Sequence, residues 1–220
     1  MQRNDELIIR IKSDLGIVVE SIENGIISSK EISPDSLIDC IKGSIKHGFL
    51  TSGVLPPGCV SFSKGESYTK ICVEYPKLYS DIQYEKTVYP NFPLPRLIFG
   101  FDLSNDGRVC SVNICVPGEG RLTPKTPLYI YPFSNVSGFR MCCGGNSLPV
   151  IKSPHQLSGV MSYIMSMPNN NDHYHTGNTK LNLEYRNLLE TLKDKSPDFY
   201  YSDVLKQSGK TLNDFINDHF

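Results

Sequence analysis

The chain has 220 residues, enough for one sizeable core or for one domain with a small appendage. Hydrophobic residues make up 39% and charged residues 20%, the balance of a globular chain that folds in water. The formal net charge is −1 and no basic stripe is visible, which argues against nucleic-acid binding through phosphate contacts.

The opening "MQRNDELIIRIK" lacks the basic-then-apolar order of a signal peptide. No window approaches ~18 uninterrupted apolar residues. The expectation is a cytoplasmic protein without a membrane segment. Three short β-rich runs, "LIIRIK", "GIVVESI" and "GIISSKEI", predict a small strand group. "SPDSLIDCIKGSIKHGF" then predicts a helix, with Ser33 as N-cap, Pro34 in the first turn, and Leu37, Ile38, Ile41 and Ile45 at helical spacing. His47 falls near its end, where a cation suits the helix dipole. Residues 1–50 are expected to form a β/α extension packed on the main domain, residues 51–220.

That domain opens at "LPPG". Five strands follow: "GCVSFS", "YTKICVEYP", "RLIFGFDLS", "RVCSVNICV" and "PLYIYPF". Turn-rich connections such as "NDG" and "PGEGRLTPKT" predict an antiparallel meander. "SPHQLSGVMSYIMSM" repeats the cap-plus-proline start and carries a stripe of Leu157, Val160, Met161, Ile164 and Met165, read as core. "LNLEYRNLLETLKDK" and "TLNDFINDHF" predict two further helices. The fold class expected is α+β. "SGKT", Ser208–Thr211, lacks the second glycine of a phosphate loop, because Val204 stands where it should be.

Seven cysteines, an odd number in an expected reducing compartment, argue against a disulfide scaffold, and no C-x-x-C pair exists. Cys110 and Cys115 alternate with apolar residues and read as small buried strand residues. The stretch "NVSGFRMCCGGN", Asn135–Asn146, admits four readings. Cys142 and Cys143 with His173 and His175 would make a zinc site, but adjacent thiolates diverge and structural sites favour wider spacing. Cys143, His175 and Asn178 follow the order of a papain-like protease, without a helix opening at the cysteine. Both cysteines could line a core at a strand end. Gly144, Gly145 and Asn146 argue against that, because they free the backbone directly after Cys143 for close approach by another chain; the fourth reading makes Cys143 a thioester-forming nucleophile.

The same stretch, with "YPF" before it and "SPHQLSGVMSYIMSMPNNND" after it, resembles the active-site region of ubiquitin-conjugating enzymes. In that family the catalytic cysteine lies eight residues after the asparagine of a His-Pro-Asn tripeptide; here Asn135 plus eight is Cys143. Cys142 then takes the hydrophobic place before the nucleophile. The chain is closer still to a prokaryotic branch met in plasmid-borne PRTRC systems and in bacterial ubiquitin-like conjugation operons, some of them antiphage. That branch shows a Pro-x-x-Asn-Val stretch and then Cys-x-Gly-Asn, matched by Pro132, Asn135, Val136 and by Cys143, Gly145, Asn146. "LPPG", "PRLIFGF" and "TPLYIYPF" also resemble it, so the likeness covers roughly residues 55–180. Phe133-Ser134 replaces the family's His-Pro, and the tryptophan usual after the cysteine is absent.

The resemblance implies a ubiquitin-conjugating-like fold over residues 51–220, with a meander flanked by helices. It implies a transferase that holds a ubiquitin-like protein as a thioester on Cys143. The expected partners are that protein, its adenylating activating enzyme and a protein substrate. No metal or other cofactor is expected. Asn135 would stabilise the oxyanion, Asp172 or His175 would assist the incoming nucleophile, and Gly144, Gly145 and Asn146 would make room for the partner's tail. The alternative is an inactive relative serving as a binding or scaffold module in a plasmid or defence complex.

Overall fold

The computed structural model describes residues 6–12, 16–23, 26–44, 52–65, 67–142 and 148–218. The chain divides into two compact units, Met1–Thr51 and Ser52–Phe220. In the first, β1 (Glu6–Ile11), β2 (Ile17–Glu23) and β3 (Ile26–Ile32) pair antiparallel in chain order. The expected helix follows as α1 (Pro34–Ser44). Its start has the physical origin read from the sequence: Ser36 N donates to Ser33 Oγ at 3.2 Å, and Pro34 occupies a position whose N–H would have no helical partner. Ile45 and His47 lie outside the described residues.

The second unit mixes helices with mostly antiparallel strands. Its elements are β4 (Cys59–Lys64), β5 (Tyr68–Tyr75), β6 (Leu78–Tyr84), β7 (Thr87–Leu94), β8 (Leu97–Ser104), β9 (Val109–Pro117), β10 (Pro127–Tyr129), β11 (Val136–Ser137) and β12 (Arg140–Met141). Then come α2 (Leu157–Met165), α3 (Tyr185–Leu192), β13 (Gln207–Thr211) and α4 (Leu212–Asp218). The five expected strands do pair in succession, β4 with β5, β5 with β8, β8 with β9 and β9 with β10. Two features depart from a plain meander. The hairpin β6–β7, absent from the sequence reading, forms its own sheet between β5 and β8. Pro90 and Pro93 weaken the strand signal of β7, and the hairpin tolerates them by an irregular register between Ser80 and Ile82. Further along, β13 adds beside β10, so "SGKT" is strand rather than a phosphate loop.

Both faces of the main sheet are covered, which is why β8 reads as a continuous apolar run rather than an alternation. Ile71, Val73, Phe99, Phe101, Val112 and Ile114 face α2 and α3, whose Leu157, Met161, Ile164, Leu188 and Leu192 are buried against them. The methionine-bearing stripe is therefore core. On the other face Cys72, Ile98 and Cys115 pack with Leu128, Phe139, Leu212 and Phe215. Gln156 Oε1 accepts from Ser153 N at 3.3 Å and Lys152 N at 2.7 Å, setting the start of the helical run into α2. Among the described residues, no helix is long and apolar enough to cross a membrane.

The "NDG" turn joining β8 to β9 also fixes the approach to α2. Gly107 has φ +82°, its carbonyl accepts from Ile151 N at 2.9 Å, and a Cβ there would lie 2.0 Å from Ile151 O. Gly107→Ala is expected to destabilise by roughly 3 kcal/mol, from left-handed strain plus displacement of the Ile151 backbone. A urea unfolding midpoint measures this; a change within ~0.5 kcal/mol would mean the contact gives way freely.

Candidate functional site

The site is built outward from an aromatic cluster. Phe133 makes edge contacts with Phe92, Tyr131 and Tyr200, at centroid distances of 6.1, 5.4 and 6.0 Å. Tyr131, Phe133 and Ser134 are buried. This packing carries the chain from β10 to Asn135 on a fixed course. The neighbouring loop is sewn down by Asn169, which the sequence reading did not single out. Its N and Nδ2 donate to Gln83 O at 2.7 and 3.1 Å, its carbonyl accepts from Glu85 N at 2.8 Å, and its Oδ1 accepts from Ser134 Oγ at 3.2 Å. Tyr84 adds a hydrogen bond from its hydroxyl to Asn171 Oδ1 at 3.0 Å. No local sequence signal marks these bonds, since each joins segments far apart in the chain.

Asn135 sits between the two fixed segments. Its φ is +63°, a left-handed conformation that asparagine tolerates better than most residues. Its N donates to Asp172 O at 2.7 Å, and its carbonyl accepts from Cys142 N at 2.8 Å. The second bond closes the base of the hairpin β11–β12, whose turn begins at Gly138 with φ +63°. The hairpin is tied to the main sheet by the pairing of Arg140 with Asn113 and by Ile114 N donating to Phe139 O at 2.8 Å. The Asn135 side chain is half-buried, and among the described residues its Nδ2 makes one long contact, 3.5 Å to Pro168 O. A substrate oxygen at usual hydrogen-bond length would compete well with that contact.

Asp172 is exposed; its carboxylate accepts from Asn170 Nδ2 at 2.7 Å while its N donates to Asn170 Oδ1 at 2.8 Å, which fixes the turn. His173 follows with φ +58°, and His175 begins a single 3-10 turn. His173, His175 and Asn178 line a cavity of about 410 Å³ together with Val136 and Ser137 of the hairpin. The structure thus brings Asn135, Asp172 and His175 into one neighbourhood. Cys143, Gly144, Gly145 and Asn146 lie outside the described residues.

Two cysteine readings need correction. Cys142 is exposed, not a packing residue behind the nucleophile; Met141 turns to the core at the end of this two-residue strand. Cys110 is exposed as well, unlike Cys115. The β8–β9 register pairs Asp102 with Ser111 and Leu103 with Val109, leaving Cys110 as the extra residue of a bulge. The buried thiols are poor nucleophiles. Burial pushes Cys72 up to about 11 and holds Cys115 well above its ordinary value, so both stay protonated near neutrality; Cys59, only partly buried, is raised by the same cause. Among the described residues, no group of three or more His, Cys, Asp or Glu is placed to hold a metal ion.

Comparison with protein-family models, with curated proteins and with solved structures finds no match to this chain.

Proposed function

We propose that this chain is a ubiquitin-conjugating-like transferase that carries a ubiquitin-like protein as a thioester on Cys143. The observation that carries the reading is the hairpin base. Asn135, the residue that the family resemblance singles out together with Cys143, is bonded through its backbone to both Asp172 and Cys142. Cys142 is one peptide bond from Cys143. The antiparallel sheet backed by α2 and α3 is compatible with a ubiquitin-conjugating-like fold.

In this mechanism the Cys143 thiolate attacks the thioester joining the partner's C-terminus to its activating enzyme. The enzyme's thiolate leaves, and the acyl group is now on Cys143. An amine of the target then attacks that carbonyl. The developing oxyanion accepts from Asn135 Nδ2, and the amine proton passes to Asp172, His175 or water. Collapse expels the Cys143 thiolate and leaves an amide.

The test is a trapping experiment in the native host with tagged protein. Wild type is expected to give a higher-mass adduct that thiols dissolve, and Cys143→Ser a thiol-resistant ester or no adduct. An adduct that survives Cys143→Ala contradicts the reading, and the absence of any adduct with wild type favours a binding module.

A further inference from the structure

Tyr185, the first residue of α3, carries a polar group that the core leaves unpaired. The residue is 2% exposed, yet its hydroxyl has no hydrogen-bond partner among the described residues. A buried group in that state costs stability, and phenylalanine would fill the same space without the cost. The ring is held by two others. It meets Tyr84 in an edge contact at a centroid distance of 5.1 Å and lies tilted against Tyr174 at 4.7 Å. Both neighbours are tied in turn: Tyr84 OH donates to Asn171 Oδ1 at 3.0 Å, and Tyr174 OH donates to Leu183 O at 2.5 Å. Ser134 lies beside the Tyr185 hydroxyl, outside hydrogen-bond geometry. It is buried and immediately precedes Asn135. Its own Oγ donates to Asn169 Oδ1 at 3.2 Å, longer than hydroxyl bonds usually run. Burial raises the Tyr185 pKa above the ordinary tyrosine value, so the hydroxyl keeps its proton and can donate.

We propose that Tyr185 is a positioning residue for Asn135: its hydroxyl donates to Ser134 once Cys143 carries an acyl group, and that bond holds the Asn135 amide toward the oxyanion. The role rests on the thioester reading above. Hydrogen bonds that serve a reaction are often long or misaligned in the free protein and tighten only in the reacting complex. The movement required is small. Ser134 Oγ can accept from Tyr185 while it still donates to Asn169, which makes a chain of hydrogen bonds from α3 to the acidic loop. The Tyr185 ring stays in place between Tyr84 and Tyr174. Its hydroxyl therefore acts through Ser134 on Asn135 and touches no reacting atom.

The test loads Cys143 chemically, so the natural partner is not required. The full chain, with the exposed Cys40, Cys110 and Cys142 changed to serine, is mixed with the mercaptoethanesulfonate thioester of acetyl-Gly-Gly. The Cys143 thiolate attacks the thioester carbonyl, mercaptoethanesulfonate leaves as its thiolate, and the acyl group is on Cys143. Discharge to free lysine is then followed by intact mass. Tyr185→Phe is expected to load like its parent and to lower the maximal discharge rate about fivefold, the worth of one neutral hydrogen bond. The lysine concentration for half-maximal rate should not change. The urea midpoint should match or exceed that of the parent, because the hydroxyl removed had no partner in the free protein. Added to Asn135→Gly, the same change should slow discharge no further, since the amide it positions is gone. Discharge at the parent rate, a loss undiminished on Asn135→Gly, or a loss accompanied by a lowered midpoint would overturn the proposal. Failure of Cys143 to load in the parent is a different result: it contradicts the thioester reading, and the positioning role falls with it.

Discussion

Truncating Phe133 to alanine is expected to lower the unfolding free energy by ~3–5 kcal/mol, the usual range for a phenylalanine removed from a closed core. The ring is buried and touches Phe92, Tyr131 and Tyr200. Tyr200 cannot move to fill the space cheaply, because its hydroxyl donates to Pro93 O at 2.9 Å inside the core. For a chain of this size the loss corresponds to a fall in Tm of roughly 10 °C. Calorimetry measures it directly. A drop of only ~2 °C would mean that the cluster collapses around the void, and that the course of the chain into Asn135 is fixed by other contacts. Phe133→Leu should recover most of the stability, since it restores most of the apolar volume.

The second large effect belongs to Asn135, where backbone and side chain have separable roles. Asn135→Gly keeps the left-handed backbone and both hydrogen bonds to Asp172 and Cys142, and removes only the amide. Under the proposed mechanism this variant should still accept the acyl group but transfer it about 100-fold more slowly, the cost of one lost oxyanion donor. Asn135→Ala adds backbone strain of ~1–3 kcal/mol at φ +63° and should be less stable than the glycine variant. Single-turnover discharge of the charged protein to a free amine separates the two steps. If Asn135→Gly discharges at the wild-type rate, the side chain is a structural turn residue and not an oxyanion donor.

Much of the fold was legible because short-range physics and tertiary packing agree along most of the chain. The runs in β8 and β9, the Ser33-Pro34 helix start and the stripe of α2 each state their structure locally. The hairpin β6–β7 was hidden because Pro90 and Pro93 oppose the strand pattern, and because Asp81 Oδ1 accepts from Asn91 N at 2.8 Å to support an irregular turn of chain. Cys110 looked buried from its alternation with apolar neighbours. A bulge, which depends on the partner strand, turned it out. At the site, the resemblance to the active-site region of conjugating enzymes pointed to Asn135 and to the acidic loop that meets it. The bonds from Asn169 to Gln83 and Ser134, which hold that meeting in place, join segments that no sequence window contains.

The central claim is that Cys143, and not its exposed neighbour Cys142, is the thiol that carries the partner. Mass-spectrometric mapping of the adduct on wild type, Cys142→Ala and Cys143→Ala tests it most directly. The account predicts a thioester-linked peptide that includes Cys143, retained in Cys142→Ala and lost in Cys143→Ala. An adduct retained in Cys143→Ala and lost in Cys142→Ala would contradict it.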